Sequence, residues 1–208
     1  MESYRALITG LQKRKYLESV PLVNAFKDVD RADFIPLGLK KSAYIDQALP
    51  IGMGQTISQP LTVAFMLELL SPTVGETILE IGAGSGWQAA LLAHIVGPKG
   101  RIVSIERIPE LVDMAQGNIK KYDELSKRIE IVLGDGSQGY IKNAPYDRII
   151  AAASASSMPE AWKEQLRIGG VLVAPIGQSI LKLVKRTKSE FSVEEYSGFV
   201  FVPLISDG

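Results

Sequence analysis

The segment LEIGAGSGW, residues 79–87, combines three glycines with a carboxylate at the end of a predicted strand. Glycines in this position let a ligand approach the backbone closely. Their spacing, at Gly82, Gly84 and Gly86, differs from the G-x-G-x-x-G pattern that wraps a pyrophosphate, because a tryptophan stands where the third glycine would be. Glu80 would repel a pyrophosphate and attract a cation. The segment therefore favours a cationic nucleoside over NAD.

Two further carboxylates follow the next two predicted strands. Glu106 ends the run RIVSIE, at about the separation from the glycines at which an acidic residue binds ribose hydroxyls in this type of fold. Asp135, in the sequence GDG, offers an acceptor to an adenine amino group. Each carboxylate also has a structural explanation: Glu80 could be satisfied within its loop, and Glu106 could cap the helix that starts near Pro109. Asp135 could support a turn. Together with the glycines, the three carboxylates predict an adenosine site.

The segment GQTISQP, residues 54–60, places a hydroxyl just before an apolar helical run. We interpret Ser58 as the N-cap of this helix, with Pro60 in the first turn and Leu70 at the end. A hydroxyl at a helix N-terminus lies in a positive field that suits a substrate carboxylate. Ser58 is therefore predicted both to cap the helix and to bind a substrate.

The composition excludes several classes of function. The 208 residues include 23 basic and 23 acidic side chains, so the net charge of zero offers no footprint for nucleic acid. There is no cysteine, which excludes disulfides and thiolate nucleophiles, and His94 is the one histidine, with no partner at metal-ligand spacing. The first residues lack the apolar stretch of a signal peptide, and no window is long enough to span a membrane. We expect a monomeric cytoplasmic protein without a bound metal.

The elements that must position these residues follow from the apolar pattern. Up to about Pro36 the pattern has helical spacing and predicts two helices, and residues 39–59 have no period and predict a long ordered loop. From residue 60 onward, short β-branched runs alternate with helical ones, which predicts a parallel sheet covered on both faces. We therefore expect one domain, with residues 1–59 as N-terminal helices and loop and residues 60–208 as the core.

The last part of the chain changes character. The runs ILKLVKR and FSVEEYSGFVFVPL, residues 180–186 and 191–204, are strand-like with no helix between them, which predicts a hairpin at the sheet edge. The glycine pair Gly169–Gly170 is interpreted as the end of the preceding helix.

These segments resemble the protein-L-isoaspartate O-methyltransferases over nearly the whole chain. The most specific segment is GQTISQP, because methyltransferases in general share the glycine loop but not this sequence. The other matching segments are DRADFIP (30–36), ALPIGM (48–53), LEIGAGSGWQAALLA (79–93), SIERIPEL (104–111), GDG (134–136), PYDRII (145–150), EQLRIGGVLVAPIG (164–177) and FVPL (201–204).

The resemblance implies an α/β, Rossmann-like methyltransferase fold with a mostly parallel seven-stranded sheet, helices on both faces and an N-terminal helical extension. It implies the cofactor S-adenosyl-L-methionine, the product S-adenosyl-L-homocysteine and, as acceptor, the free α-carboxyl group of L-isoaspartyl residues in damaged proteins and peptides. By the same resemblance Ser58 is the active-site serine. The implied cofactor-binding positions are Gln55, Thr56, Ile57, Glu80, Gly82, Gly84, Glu106, Arg107, Asp135 and Gly136.

The expected chemistry needs no strong base. An isoaspartyl carboxylate is ionised at neutral pH, so its methylation requires orientation and desolvation. Ser58 would orient one carboxylate oxygen by a hydrogen bond. By the resemblance, the methyl ester then closes spontaneously to a succinimide.

Two departures from the relatives bear on specificity. Residues 149–159, IIAAASASSMP, lack a threonine that many relatives have, so the peptide preference is expected to differ. Trp87 replaces the usual tyrosine, a change that should leave the methyl-donor site intact. Two other functions remain open at this point: a methyltransferase of the same architecture that acts on a small molecule or nucleic acid, and a cofactor-binding module without transfer activity.

Overall fold

A computed structural model describes residues 3–206 of the chain. The α-helices of this part are α1 (Tyr4–Lys13), α2 (Val20–Asp28), α3 (Pro60–Leu70), α4 (Trp87–Val96), α5 (Pro109–Ile119), α6 (Asp123–Ser126) and α7 (Glu160–Gln165). The strands are β1 (Leu49–Gly52), β2 (Gln55–Ile57), β3 (Thr77–Ile81), β4 (Arg101–Glu106), β5 (Ile129–Leu133), β6 (Tyr146–Ala151), β7 (Leu166–Ile176), β8 (Ser179–Lys185) and β9 (Phe191–Ser197). Short 3-10 turns, among them Arg31–Phe34 and Leu37–Ser42, join α2 to β1.

Strands β3 to β9 form one sheet in the order β5-β4-β3-β6-β7-β8-β9. The first five strands of this order are parallel, and β8 and β9 extend one edge as an antiparallel hairpin. Successive residues of β3 point to opposite faces, so Ile78 and Leu79 belong to two separate apolar clusters. The predicted mostly parallel seven-stranded sheet and its edge hairpin are thus confirmed.

The N-terminal extension packs against the helix that follows the glycine loop. Phe26 of α2 meets Trp87 of α4 edge to face, with ring centroids 5.4 Å apart. His94, near the end of α4, pairs with Asp28 at 2.9 Å, so the one histidine joins two helices. Because α1, α2 and one face of the sheet share an apolar cluster, the extension has a fixed place relative to the glycine loop.

The segment predicted as a loop contains regular structure. Strands β1 and β2 form an antiparallel hairpin in which Leu49 lies opposite Ile57. The last residue of β1, Gly52, and the two residues between the strands, Met53 and Gly54, have φ angles of 98°, 52° and 70°. Strands of four and three residues are too short to show an alternating pattern, so the expectation of a loop without strands was wrong.

The interpretation of Gly169–Gly170 as a helix end was also wrong, because both glycines lie inside β7. Helix α7 ends at Gln165, and β7 begins with the next residue. Gly169 has a φ of 79°, and the pairing of β6 with β7 shifts register between Tyr146 and Arg148. A positive φ beside a register shift is typical of a β-bulge.

Ion pairs cluster at the amino ends of the parallel strands, away from the glycine loop. Arg148 of β6 pairs with Glu76 at 2.9 Å, and Arg167 of β7 pairs with Asp147 at 2.7 Å. The Asp147 carboxylate also accepts a hydrogen bond from the Thr77 N–H at 2.6 Å. The network therefore ties together the beginnings of β3, β6 and β7.

Residues 3–206 include no helix that is long and apolar enough to cross a membrane. Within the same residues, His, Cys, Asp and Glu side chains form no group of three or more that could hold a metal ion.

Candidate active site

A cavity of about 630 Å³ opens at the carboxyl ends of the parallel strands, and this volume is typical of small-molecule sites. Its walls come mainly from four stretches of chain: residues 46–59, residues 82–84, residues 105–111 and residues 200–205. The strand order reverses at β3, which has β4 on one side and β6 on the other. Open α/β sheets bind ligands at such a switch point.

The glycine loop owes its shape to three left-handed residues. Gly82, Gly84 and Gly86 have φ angles of 90°, 52° and 86°, which side chains rarely allow. The Gly82 N–H donates to the Ile105 carbonyl oxygen at 2.8 Å and so holds the loop on β4. A Cβ on Gly86 would lie 3.0 Å from Ile119 Cδ1. The third glycine thus lets α4 begin close to α5, while the first two line the cavity.

Glu106 lines the cavity, and hydrogen bonds within the protein occupy only some of the lone pairs of its carboxylate. Its Oε2 atom accepts a hydrogen bond from the Gly84 N–H at 2.9 Å, and its Oε1 atom accepts from the N–H groups of Arg107 and Ile108 at 2.9 and 3.1 Å. A carboxylate has about four lone-pair positions, so these three bonds leave one on Oε2 for a ligand. The alternative that Glu106 caps α5 was wrong, because the N-cap position is Ile108 and no side chain makes a capping bond there. Glu106 instead holds the main chain just before α5, which is compatible with a ligand role.

Glu80 lies beneath the glycine loop and is fully buried. Its carboxylate accepts hydrogen bonds from the Ser104 hydroxyl and from Gln88 Nε2, the latter at 3.0 Å. Burial raises the pKa of Glu80 to about 7; these hydrogen bonds oppose the rise, and the charge of Glu106 adds to it. Glu80 is not among the residues that line the cavity, so its effect on a ligand would pass through its charge, which a pKa near 7 leaves only partly present at neutral pH.

Two of the remaining predicted cofactor positions do not line the cavity. Ile57 is buried in the hairpin of β1 and β2, and Asp135 closes a turn by accepting a hydrogen bond from the Ser137 N–H at 2.8 Å. A Cβ on Gly136 would lie 2.5 Å from Ile81 Cγ2, so only glycine fits against the end of β3. The residues of this set that line the cavity are Gln55, Thr56, Arg107 and Gly136.

Ser58 lines the cavity but does not cap α3, so the capping interpretation was wrong. The N-cap position is Gln59, whose side chain makes no capping bond. Instead, Asp46 Oδ1 accepts a hydrogen bond from the Leu61 N–H at 2.9 Å, and Asp46 Oδ2 pairs with Arg14 at 2.6 Å. The positive end of α3 is therefore already matched by a protein carboxylate. Among the described residues, the Ser58 hydroxyl has no hydrogen-bond partner.

Residues 198–205, here termed the C-terminal strap, supply a wall that the sequence pattern did not indicate. The strap is not a strand, so the prediction of a continuous strand through FVFVPL was wrong. The Ser154 N–H donates to the Val202 carbonyl oxygen at 2.8 Å, and the Leu204 N–H donates to the Ser154 carbonyl oxygen at 2.7 Å. Phe199 stacks on Phe65 of α3, with ring centroids 5.4 Å apart.

The segment that departs from the relatives lies between two concave surfaces. Ala152 and Ala153 line the cavity, whereas Ser156 and Ser157 line a neighbouring groove of about 420 Å³. Leu204 of the strap borders both. Changes in this segment can therefore alter the surface beside the cavity without altering the glycine loop.

The family model for protein-L-isoaspartate(D-aspartate) O-methyltransferase matches residues 2–208. The chain is 44% identical over 207 residues to the protein-L-isoaspartate O-methyltransferase of Methanopyrus kandleri, covering 97% of this chain and 90% of the relative. It is 41% identical over 211 residues to that of Pyrococcus abyssi, covering 99% and 96%.

A solved structure is similar over the same length. It is a Plasmodium falciparum protein described as a protein-L-isoaspartate O-methyltransferase and crystallised in complex with S-adenosyl-L-homocysteine. The TM-score is 0.88 at 25% sequence identity, with 99% of each chain covered.

The sheet order, the glycine loop and the acidic residue at the end of β4 together define the class of S-adenosylmethionine-dependent methyltransferase folds. Within this class, the chain belongs to the protein-L-isoaspartate(D-aspartate) O-methyltransferase family. The family predicted from the sequence is confirmed.

Proposed function

We propose that this protein transfers a methyl group from S-adenosyl-L-methionine to the free α-carboxyl group of L-isoaspartyl residues in damaged proteins and peptides, which initiates repair through a succinimide. The observation that carries the proposal is that Ser58 and its neighbours line the same cavity as the glycine loop and Glu106, in a chain of this family. One cavity can thus hold the methyl donor and the acceptor together.

The cavity has the space, the acceptor group and the nearby negative charge that a cationic nucleoside needs. Gly82 and Gly84 leave room where a Cβ would stand, 3.6 Å from Ala152 Cβ and from Ile51 Cδ1 respectively. In this proposal the remaining lone pair of Glu106 accepts a hydrogen bond from a ribose hydroxyl, and Glu80 in its ionised form contributes negative charge beneath the loop. S-adenosyl-L-methionine supplies, when bound, an electrophilic methyl group on a sulfonium.

The acceptor side orients an anion that is already reactive. Ser58 donates a hydrogen bond to one oxygen of the isoaspartyl carboxylate, which leaves the other oxygen free to attack. Apolar side chains of the opposite walls exclude water from this oxygen, and stripping its hydration raises its reactivity. These side chains are Ile105, Ile108, Leu111, Phe201 and Leu204.

Methyl transfer to a synthetic isoaspartyl peptide tests the proposal, with the same peptide carrying a normal aspartyl residue as the control. We expect labelling of the isoaspartyl peptide only, followed by succinimide formation. Equal labelling of both peptides, or of neither, would contradict the function. Labelling of a small molecule or nucleic acid in place of both peptides would favour a different methyltransferase, and cofactor binding without any transfer would favour a binding module.

The monomeric state and the cytoplasmic location stay predictions from the sequence. Light scattering coupled to size-exclusion chromatography measures the mass directly, and activity confined to a dimer peak would contradict this part of the proposal.

A further inference from the structure

Arg31 lies outside the cavity and is fully buried. Its Nη1 atom donates hydrogen bonds to the carbonyl oxygens of Ala43 and Ile45 at 2.7 and 3.3 Å. Its Nη2 atom donates to the carbonyl oxygens of Gln47 and Ser58 at 2.9 and 3.0 Å. Among the described residues, all its hydrogen bonds therefore end on the main chain of residues 43–58.

A buried guanidinium without a bonded carboxylate is costly unless its N–H groups are satisfied. Burial lowers the pKa of Arg31 to about 10, so the side chain stays charged near neutral pH. The Trp87 ring lies over the guanidinium, with Cζ 5.5 Å from the ring centroid, and adds a cation–π contact. Within residues 3–206 the Nε atom is buried without a hydrogen-bond partner. The charge is thus kept in the interior by the main-chain oxygens bound to Nη1 and Nη2 and by one aromatic face.

The turn that carries this arginine is itself anchored. The Asp30 carboxylate accepts hydrogen bonds from the Ala32 N–H at 2.8 Å and from the Tyr44 hydroxyl at 3.0 Å. The Tyr122 hydroxyl, just beyond α5, accepts from the Asp30 N–H and donates to the Asp33 carboxylate, both at 2.9 Å. The guanidinium therefore projects from a fixed base.

We propose that Arg31 is a positioning residue for methyl transfer: by holding the carbonyls of Gln47 and Ser58, it fixes the cavity wall that presents the Ser58 hydroxyl. The inference rests on the proposed function. Both residues line the cavity, and Asp46, the chain neighbour of Gln47, caps α3. The planar fork of arginine can bind two separate pairs of carbonyls, whereas a lysine nitrogen is a single point with three donors.

The test compares Arg31→Lys with Arg148→Lys. The control removes a second largely buried guanidinium, one that pairs with Glu76 at the far end of the sheet. Both variants should lose thermal stability. Only Arg31→Lys should lose kcat toward the isoaspartyl peptide, on the order of 10²-fold, since misplacement of a reacting group by about 1 Å has an effect of this size. Its affinity for S-adenosyl-L-methionine, measured by titration calorimetry, should remain that of the wild type.

Two results would overturn the positioning role. One is a kcat per folded molecule that falls no further in Arg31→Lys than in Arg148→Lys. The other is a loss of cofactor affinity that accounts for the loss of turnover. A wild-type protein inactive on the peptide would instead contradict the proposed function, so the two failures are distinguishable.

Hydrogen exchange on the wild-type protein adds a test that needs no variant to fold. The N–H groups of Ala43, Ile45 and Gln47 donate to the carbonyl oxygens of Lys40, Ser42 and Ile45, at 3.2, 3.1 and 2.8 Å. With the clamp in place, they should exchange far more slowly than those of the exposed turn at residues 186–190. Exchange at the rate of that turn would show that the guanidinium does not fix the segment and would overturn the proposal.

Discussion

Ser58→Ala and Asp46→Ala separate the binding of an acceptor from the capping of α3. The Ser58 hydroxyl has no partner among the described residues, so Ser58→Ala should change the free energy of unfolding by no more than about 0.5 kcal/mol. Asp46→Ala removes the acceptor for the Leu61 N–H, which is worth about 0.5–2 kcal/mol. It also removes the pair with the half-exposed Arg14, which adds at most about 1 kcal/mol.

For turnover of the isoaspartyl peptide the order of the two variants is reversed, so Ser58→Ala should cause the larger loss. Loss of one hydrogen bond to a charged oxygen is worth about 1.5–3 kcal/mol, so kcat/KM should fall about 10- to 150-fold. Ser58→Asp should lose transfer by a further large factor while it retains cofactor binding, because a like charge would face the acceptor carboxylate.

Denaturant unfolding and initial methylation rates, both measured on the same preparations, check these expectations. The reasoning is refuted if Ser58→Ala unfolds as readily as Asp46→Ala while each folded molecule turns over at the wild-type rate. Near-wild-type turnover by Ser58→Asp would equally remove Ser58 from the acceptor site.

Three further changes probe the rest of the cavity. Glu106→Gln replaces an acceptor oxygen by a donor, so both stability and affinity for S-adenosyl-L-methionine should fall, each by about 1–3 kcal/mol; unchanged affinity in calorimetry would mean that the cofactor lies elsewhere. The pKa of Glu80 rises on folding from 4.5 to about 7, so the native state binds more protons than the unfolded state in this range, and the associated stability is lost as pH rises through it. Glu80→Gln should therefore flatten the fall in melting temperature across these pH values, and an unchanged slope would contradict the raised pKa. Ser156→Lys should favour isoaspartyl peptides with acidic over basic flanking residues by up to about fivefold in kcat/KM, and equal ratios in variant and wild type would exclude the groove from peptide binding.

The core of the fold was predictable because its elements are long enough to show a period. The alternation of apolar strands and helices predicted the parallel sheet, and Pro60 marked the first residue of α3. The hairpin of β1 and β2 escaped detection because its strands are short, and Gly169–Gly170 misled because glycines end helices and also form bulges.

The glycine loop and Glu106 were predictable as parts of the site because their residue types carry the chemistry. Arg31 was not, because its partners are main-chain carbonyls, which every residue has and which leave no mark in the sequence. The capping of α3 by Asp46 was missed for a related reason. Caps are predicted from neighbours in sequence, and Asp46 reaches the helix from fifteen residues before Leu61.

The C-terminal strap has a thermodynamic consequence for the order in which ligands bind. It forms one side of a cavity whose other side is the glycine loop, so the two ligands would share a single cavity. If the cofactor changes the affinity for the peptide by some factor, the peptide must change the affinity for the cofactor by the same factor. Binding measurements in either order therefore have to close a thermodynamic cycle, and substitutions in the strap, which is anchored through Ser154 and Phe199, can be compared in both orders against that requirement.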